Sequence, residues 1–454
     1  MNLEVIILAA GQGTRMKSNI PKVLHSLAGK PMLEHVIDTA QKLDAANIHI
    51  VYGHGGDQVK THLNDHQLIW AEQEEQLGTG HAVQQAMSSI DNESVALILY
   101  GDVPLIQKET LQRLIETVSD QQMALLTVIL KNPTGYGRIV RGKDSQIEKI
   151  VEHKDASDNE LAINEVNTGI MAVRSVDLHK WLNRLDNNNV QREYYLTDII
   201  EMAVTDNVTV VGISTDDEIE VTGINDKVQL QMMERAFQLR QAEKLMREGA
   251  TIIDAARIDL RGSCTIGKDV TFDVNVVLEG NNTLGNHVSI GPNVYLKDAT
   301  IGDHASILAN SVIDQAVVGK NSKVGPFARL RPDTVLAEHT HIGNFVEIKK
   351  SIVGNGSKVN HLSYIGDAEI GKGVNIGAGT ITCNYDGANK FKTIVGDYAF
   401  IGSDSQLVAP VVIGAGATIG AGSTITKDTE DNKLTLSRSK QLSIDGWKRP
   451  QKKK

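Results

Sequence analysis

Between residues 264 and 428 small aliphatic residues return at every sixth position. Ile266, Phe272, Leu278, Leu284, Ile290 and Leu296 keep the spacing, and Val395, Ile401, Leu407, Ile413, Ile419 and Ile425 repeat it near the end. A glycine often follows, as in Ile266-Gly267, Ile290-Gly291, Ile301-Gly302, Ile401-Gly402 and Ile413-Gly414. Six is a multiple of two, so all these side chains can point to one side of extended strands. In a helix, residues six apart face away from each other. A fixed period of this length predicts a solenoid, the hexapeptide-repeat parallel β-helix. No single coil can bury its apolar side alone, so successive coils stack around a column of aliphatics. The period shifts by one between Leu296 and Ile301, and interruptions are expected at 327–338 and, longer, at 382–392. Interruptions in a solenoid are surface loops, where function concentrates.

The 454 residues exceed a single ordinary core, so two or three domains are expected. A net charge of −10 gives no general attraction to nucleic acid or to an anionic membrane, and neither is expected as a partner. Two cysteines, Cys264 and Cys383, are too few for a disulfide framework, which predicts a reducing, cytoplasmic setting. The opening MNLEVIILAAG lacks a basic leader and runs straight into a strand-and-loop pattern, so it does not read as a secretory signal. No apolar run is long enough to span a bilayer.

The first half reads differently. Val5 to Ala10 is a continuous apolar run, as in a strand buried on both faces. Further strands are predicted at 48–52, 95–99, 125–129 and 209–213, with helices at 32–43 and 80–87 between them. This alternation predicts an α/β, Rossmann-like domain with a mostly parallel sheet, whose ligands sit beyond the carboxyl ends of the strands. Gly11-Gln12-Gly13-Thr14-Arg15 lies there. Its glycines allow close approach of backbone amides to phosphate, and Arg15 and Lys22 add positive charge. Met16 stands where a dinucleotide fingerprint needs its third glycine, and no Gly-Lys-Ser/Thr closes a Walker loop. Asp102 follows the 95–99 strand at the same edge. Beside a triphosphate, a carboxylate suits Mg²⁺, which takes one or two carboxylates together with phosphate oxygens.

The longer strings carry a resemblance. Leu8-x-Ala10-Gly11-x-Gly13-Thr14-Arg15-Met16 with Pro21-Lys22, and Tyr100-Gly101-Asp102-Val103-Pro104-Leu105, resemble the two signatures of sugar-phosphate nucleotidylyltransferases. Gln73, Gln76-Leu77-Gly78-Thr79-Gly80-His81, Gly135-Tyr136-Gly137-Arg138, Glu152-His153-Lys154, Asn167-Thr168-Gly169 and Asn225 are similar to the uridylyl-transferring branch. The resemblance implies a nucleotide and sugar site of Leu8, Ala9, Ala10, Gly11, Arg15, Lys22, Gln73, Gly78, Thr79, Tyr100, Gly101, Asp102, Gly137, Glu152, Asn167 and Asn225. In it Gln73 and Gln76 would read the base, Arg138 would join the sugar wall, and Asp102 and Asn225 would be the metal ligands.

Residues 226–249 hold no glycine or proline before Gly249 and are rich in good helix formers, which predicts a linking helix. The expected division is therefore 1–225, a helix over 226–249, and 250–454. In the last part Arg329, Arg331, Lys349 and Lys350 gather positive charge in an acidic chain, a patch suited to phosphate. His361 and the string Cys383-Asn384-Tyr385-Asp386-Gly387-Ala388-Asn389-Lys390 lie near them in sequence. These features resemble the acetyltransferase branch of the hexapeptide proteins. From Leu8 to about Arg449 the chain resembles the bacterial bifunctional family that combines acetyl and uridylyl transfer.

That resemblance implies a left-handed parallel β-helix, a homotrimer, and an acetyl site between neighbouring subunits. Handedness enters only this way, since it contradicts the usual crossover rule. It implies acetyl transfer from acetyl-CoA to the amine of glucosamine 1-phosphate. Mg²⁺-dependent uridylyl transfer from UTP to N-acetylglucosamine 1-phosphate would follow, supplying peptidoglycan and lipopolysaccharide synthesis. His361 would be the base, because acetyl transfer needs a neutral amine and imidazole ordinarily titrates near neutrality. Glu347 is a candidate to orient it. Arg331 and Lys349 would hold the sugar phosphate, Tyr364, Asn375, Asn384 and Tyr385 the sugar and thioester, and Ala378, Ser403, Ala421 and Arg438 acetyl-CoA. Two rival readings stand beside this one. The β-helix could serve only oligomerisation or regulation. Alternatively, His339, His341 and His361 satisfy the ligand count of a catalytic zinc, as in hexapeptide-fold carbonic anhydrases.

Overall fold

The computed structural model describes residues 2–53, 55–63 and 67–452. Lys453 and Lys454 of the basic C-terminal tail lie outside the described residues. The chain divides into two compact units, Met1–Phe237 and Gln238–Lys454, and the division falls inside a single helix, Lys227–Arg247. No helix among the described residues is long and apolar enough to cross a membrane.

The first unit is built on a sheet whose central path runs Thr209–Thr215, Gln122–Ile129, Glu165–Arg174, Val95–Tyr100, Leu3–Leu8, Asn47–Tyr52, Ile69–Glu72. Leu3–Leu8 is buried along its whole length because helices cover both faces. Val5 and Ile7 join one core cluster with Leu33, Val36 and Ile37, while Ile6 and Leu8 join the other with Val83, Ala86 and Trp181. Each such aliphatic contributes about 1.5–3 kcal/mol on burial. Leu8 is in parallel register with Val51 on one side and Tyr100 on the other, so three strands end at one edge. The strand order reverses on either side of Leu3–Leu8, and a crevice opens at such a switch point. Mostly parallel pairing is observed along this path, but Glu165–Arg174 runs antiparallel between Val95–Tyr100 and Gln122–Ile129, and Arg138–Arg141 and Ile147–Val151 add a further antiparallel pair beside it. A register shift between Asn167 and Met171 breaks the apolar alternation of Glu165–Arg174, which removes the sequence signal.

The second unit is a parallel β-helix. Leu278, Leu296, Ile313, Leu330, Ile348 and Ile365 are register partners from coil to coil and are fully buried. The expected interruption at 327–338 is absent. Val324, Leu330, Leu336 and Ile342 keep the spacing and the burial, and polar residues between them had masked it. At 382–392 the chain does leave the coil after Ile381–Cys383, folds back through a bridge between Tyr385 and Lys390, and rejoins at Thr393–Val395. Corners take left-handed residues. On one corner Asn275, Asn293 and Asn310 give way to Phe327, Phe345 and Leu362, with φ of 56°, 56° and 47° for the last three. Bulky side chains seldom accept that conformation, and the change occurs where the column reaches His361.

Candidate functional site

In the first unit a cleft of about 620 Å³ lies beyond the ends of Leu3–Leu8 and Val95–Tyr100. Leu8, Ala9, Ala10, Gly11, Arg15, Lys22, Gln73, Gly78, Thr79, Tyr100, Asp102 and Asn225 line it, as do Gln12, Gln76 and Glu193. Gly13 has φ +61°, and a Cβ there would lie 2.6 Å from Lys22 Cβ, so only glycine lets the loop close on Lys22. Gln76 Nε2 donates to Ala10 O at 2.8 Å and Gln73 Nε2 to Gly78 O at 3.1 Å, tying the wall together.

Charged groups converge on its floor. The Lys22 ammonium donates to Asp102 Oδ2 and, at 2.8 Å, to Asn225 Oδ1. Arg15 donates to the same Asn225 oxygen at 2.7 Å. The Asn225 N–H donates to Gln229 Oε1 at 2.7 Å, which fixes its backbone. One carboxylate and one amide oxygen thus already face a single cation, a donor pair that fits Mg²⁺ with phosphate oxygens completing its sphere.

Gly101 sits beneath this floor, its N–H bonded to Leu8 O at 2.9 Å. Gly137, Glu152 and Asn167 are not among the residues that line this cleft. Asn167 N donates to Gly137 O at 2.9 Å, and Glu152 Oε1 accepts from the Thr197 hydroxyl at 3.1 Å. Burial raises the Glu152 carboxyl, with help from Asp155 and Glu193, against the Thr197 bond. Burial, then the Glu152 and Asp102 charges, push the Tyr100 phenol well above its ordinary value, so it remains a donor. Arg138, expected in the sugar wall, is 2% exposed, and its guanidinium bonds to Tyr136 O.

In the second unit the cations of the patch are held by register. Arg331 donates to Glu347 Oε1 at 2.8 Å, with Arg329 3.8 Å from Oε2. Lys349 lies beside Lys390, whose pKa it lowers by hydrogen bonding and charge. Gly366 faces Lys349 in register, and a Cβ there would be 2.4 Å from Tyr364 Oη and 2.9 Å from Asn384 Nδ2. The glycine therefore lets both side chains lie over this spot. Asn384 donates to Asp367 Oδ2 at 2.5 Å. Tyr385 turns its hydroxyl into its own loop, onto Gly387 O. Asn375 stands on the other sheet, between Lys358 and Phe400.

His361 is exposed at the end of Lys358–His361, in register with Asn344. Its Nδ1 is 3.1 Å from Asn344 Oδ1. Glu347, the expected orienting group, is engaged by Arg331 instead, because it sits in register with Arg329 and Tyr364 on the other sheet. Asn344 is a functional candidate that the sequence reading passed over, and Lys390, named there only within the loop string, stands beside Lys349. The coil period alone places Asn344 beneath His361. From His361 a ladder climbs one corner: Gly379 N bonds to His361 O, Asp404 N to Ala378 O, Gly422 N to Ser403 O, and Arg438 to Ala421 O. Among the described residues no three His, Cys, Asp or Glu side chains gather to hold a metal, so the zinc reading of His339, His341 and His361 finds no such cluster.

Residues 5–156 match the MobA-like NTP transferase domain family. Residues 260–344 match the GMPPB C-terminal domain, and 392–427 the bacterial transferase hexapeptide family, described as six repeats. The chain is a transferase that joins a nucleotidyltransferase domain to hexapeptide-transferase repeats. Among solved structures it is similar to a nucleotidyl transferase from Methanothermobacter thermautotroptrophicus, with 18% identity over 53% of this chain and 99% of that one and a TM-score of 0.40. It is also similar to a Bacillus anthracis protein described as a candidate glucose-1-phosphate thymidylyltransferase, with 19% identity over 51% of this chain and 94% of that one and a TM-score of 0.41.

Proposed function

We propose that the chain makes a UDP-sugar in two steps, one in each unit. The second unit acetylates the amine of glucosamine 1-phosphate from acetyl-CoA, and the first joins N-acetylglucosamine 1-phosphate to the uridylyl group of UTP. The observation that carries the reading is the cluster of Lys22, Arg15, Asp102 and Asn225 at the end of the parallel strands. Uridine and glucosamine come from the family resemblance of the strings around these residues.

In uridylyl transfer a phosphate oxygen, already an anion, attacks the α-phosphorus and pyrophosphate leaves, so the site needs no strong base. Arg15 and Lys22 offset triphosphate charge, and the loop amides orient it. Asp102 and Asn225 would hold Mg²⁺, which supplies further charge neutralisation when bound. In acetyl transfer His361 takes the ammonium proton, freeing the amine to attack the thioester carbonyl. The coenzyme thiolate leaves and is protonated. Asn344, accepting from Nδ1–H, keeps Nε2 free for that proton. Arg331, Lys349 and Lys390 would hold the sugar phosphate, and the corner ladder from Ala378 to Arg438 suits an extended coenzyme.

The homotrimer belongs to the same reading. Val317, Val335, Ile352, Ile394 and Val412 are exposed apolar residues on one outward register column, interrupted by Glu369. A row of this kind is suited to further copies of the chain.

The test is incubation of the full chain with glucosamine 1-phosphate, acetyl-CoA, UTP and Mg²⁺, followed by mass analysis. UDP-N-acetylglucosamine is the expected product. Asp102→Ala is expected to stop at N-acetylglucosamine 1-phosphate, and His361→Ala to lose acetylation while still converting supplied N-acetylglucosamine 1-phosphate. Equal loss of both activities in either variant would defeat the two-site reading.

A further inference from the structure

Lys22 is bonded to the same two oxygens, Asp102 Oδ2 and Asn225 Oδ1, that suit a divalent cation. Its side chain is only 12% exposed, so this is a packed position and not a solvated surface chain. Its Cβ is pinned against Gly13, so the ammonium can change partners only by turning the outer part of its chain. Arg15 adds a second cation on the Asn225 oxygen, at 2.7 Å.

We propose that Lys22 is a built-in placeholder for the metal: it keeps the Asp102 and Asn225 pair closed to a bare divalent cation and yields it when a nucleoside triphosphate arrives. The inference rests on the reading of Asp102 and Asn225 as metal ligands, and it concerns order of binding. One pair of oxygens cannot serve an ammonium and a divalent ion together. A cation entering alone must displace Lys22 and then lie beside two positive groups that have lost their oxygen partners, which Coulomb repulsion disfavours. With a triphosphate present, its oxygens accept the displaced ammonium and the guanidinium in charge-assisted bonds. They also complete the sphere of an ion that prefers phosphate and water to a cage made only of protein. Metal and nucleotide therefore enter together, and the metal does not precede the nucleotide.

The test uses the full chain stripped with EDTA, with Mn²⁺ as the probe and free Mn²⁺ read by electron paramagnetic resonance. Without nucleotide, Lys22→Met and Lys22→Gln are expected to bind Mn²⁺ at least about tenfold tighter than the natural chain, about 1.4 kcal/mol. Adding Asp102→Asn to Lys22→Met is expected to erase the gain. Equal affinity for bare Mn²⁺ in the natural chain and both Lys22 variants overturns the proposal. A second measurement needs no variant: saturating bare Mn²⁺ should raise the reactivity of the Lys22 amine toward acetic anhydride, read by peptide mass. Unchanged labelling also overturns it. The underlying metal assignment is judged separately. If Asp102→Asn holds Mn²⁺ with UTP as well as the natural chain does, that assignment fails, whatever the Lys22 variants show.

Discussion

What a histidine can do depends on which of its nitrogens is free. His361 is exposed, and Nδ1 faces Asn344 Oδ1 at 3.1 Å, which leaves Nε2 open to a substrate amine. Asn344→Leu removes the acceptor and lets the ring take either tautomer. Acetyl transfer is expected to fall about ten- to a hundredfold in kcat, part of the 10²–10⁴ that general base catalysis supplies. The pH–rate profile should shift, with little change in KM for acetyl-CoA. An unaltered kcat and profile would show that Asn344 does not position the ring. Closeness in sequence does not show this contact, because the coil pairs residues a full turn apart. Arg15, Lys22 and Asp102 were legible, because a loop that follows a buried parallel strand must emerge at the ligand edge, whereas Asn225 was indicated only by the family resemblance. The burial of Arg138 was not legible, because a string of similar residues does not say which side of its strand faces inward.

At the scale of elements the hexad is what the sequence showed most clearly, since a period of six leaves few other folds. It was lost only between Val324 and Ile342, where the column never breaks. The antiparallel Glu165–Arg174 was missed for the opposite reason, a bulge inside a real strand. Leu407 is fully buried between Thr382 and Ile425 in register. Leu407→Ala is expected to cost about 2–5 kcal/mol, read by thermal unfolding of the second unit. A loss under 1 kcal/mol, below that range, would mean the column is loosely packed. In the first unit Asp198, which leads the Ile199–Thr205 helix, has its carboxyl raised to about 6 by burial, then by Asp186, Glu152, Glu201 and Asp155. A raised acid binds its proton more tightly when folded. Its cost is therefore absent below the unfolded value of 3.8, grows with pH, and is complete above about 6. Asp198→Asn should stabilise the first unit at pH 7.5 by about 1 kcal/mol after allowance for solvent screening, with the gain vanishing toward pH 4. A gain independent of pH would rule out the charge as its cause.

On the scale of the whole molecule, each unit has its own core. One set of clusters surrounds Leu3–Leu8, and another runs from Ala242 to Ile425 through the coils. The second unit also carries an uncovered apolar column, and a solenoid cannot bury it by stacking because it points outward. Coils repeat about every 4.8 Å, so a change at two coils lies within a single contact between copies. Ile352 and Ile394 are 50% and 38% exposed on either side of Glu369 in register. Ile352→Glu with Ile394→Glu removes no buried contact of the single chain and sets three carboxylates in a row. The fold of one chain should therefore survive, with circular dichroism unchanged. Like charges brought together in a dry contact are strongly unfavourable, so, with the homotrimer proposed for the natural chain, light scattering should show the double variant as a monomer. If the acetyl site draws residues from a neighbouring copy, acetyl transfer should fall with the trimer while the proposed uridylyl transfer persists, since Arg15, Lys22, Asp102 and Asn225 all lie within Met1–Phe237. A double variant that remains trimeric would move the interface to another face of the helix. One that becomes monomeric with acetyl transfer intact would place the whole acetyl site, His361 and its Asn344 partner included, within a single chain.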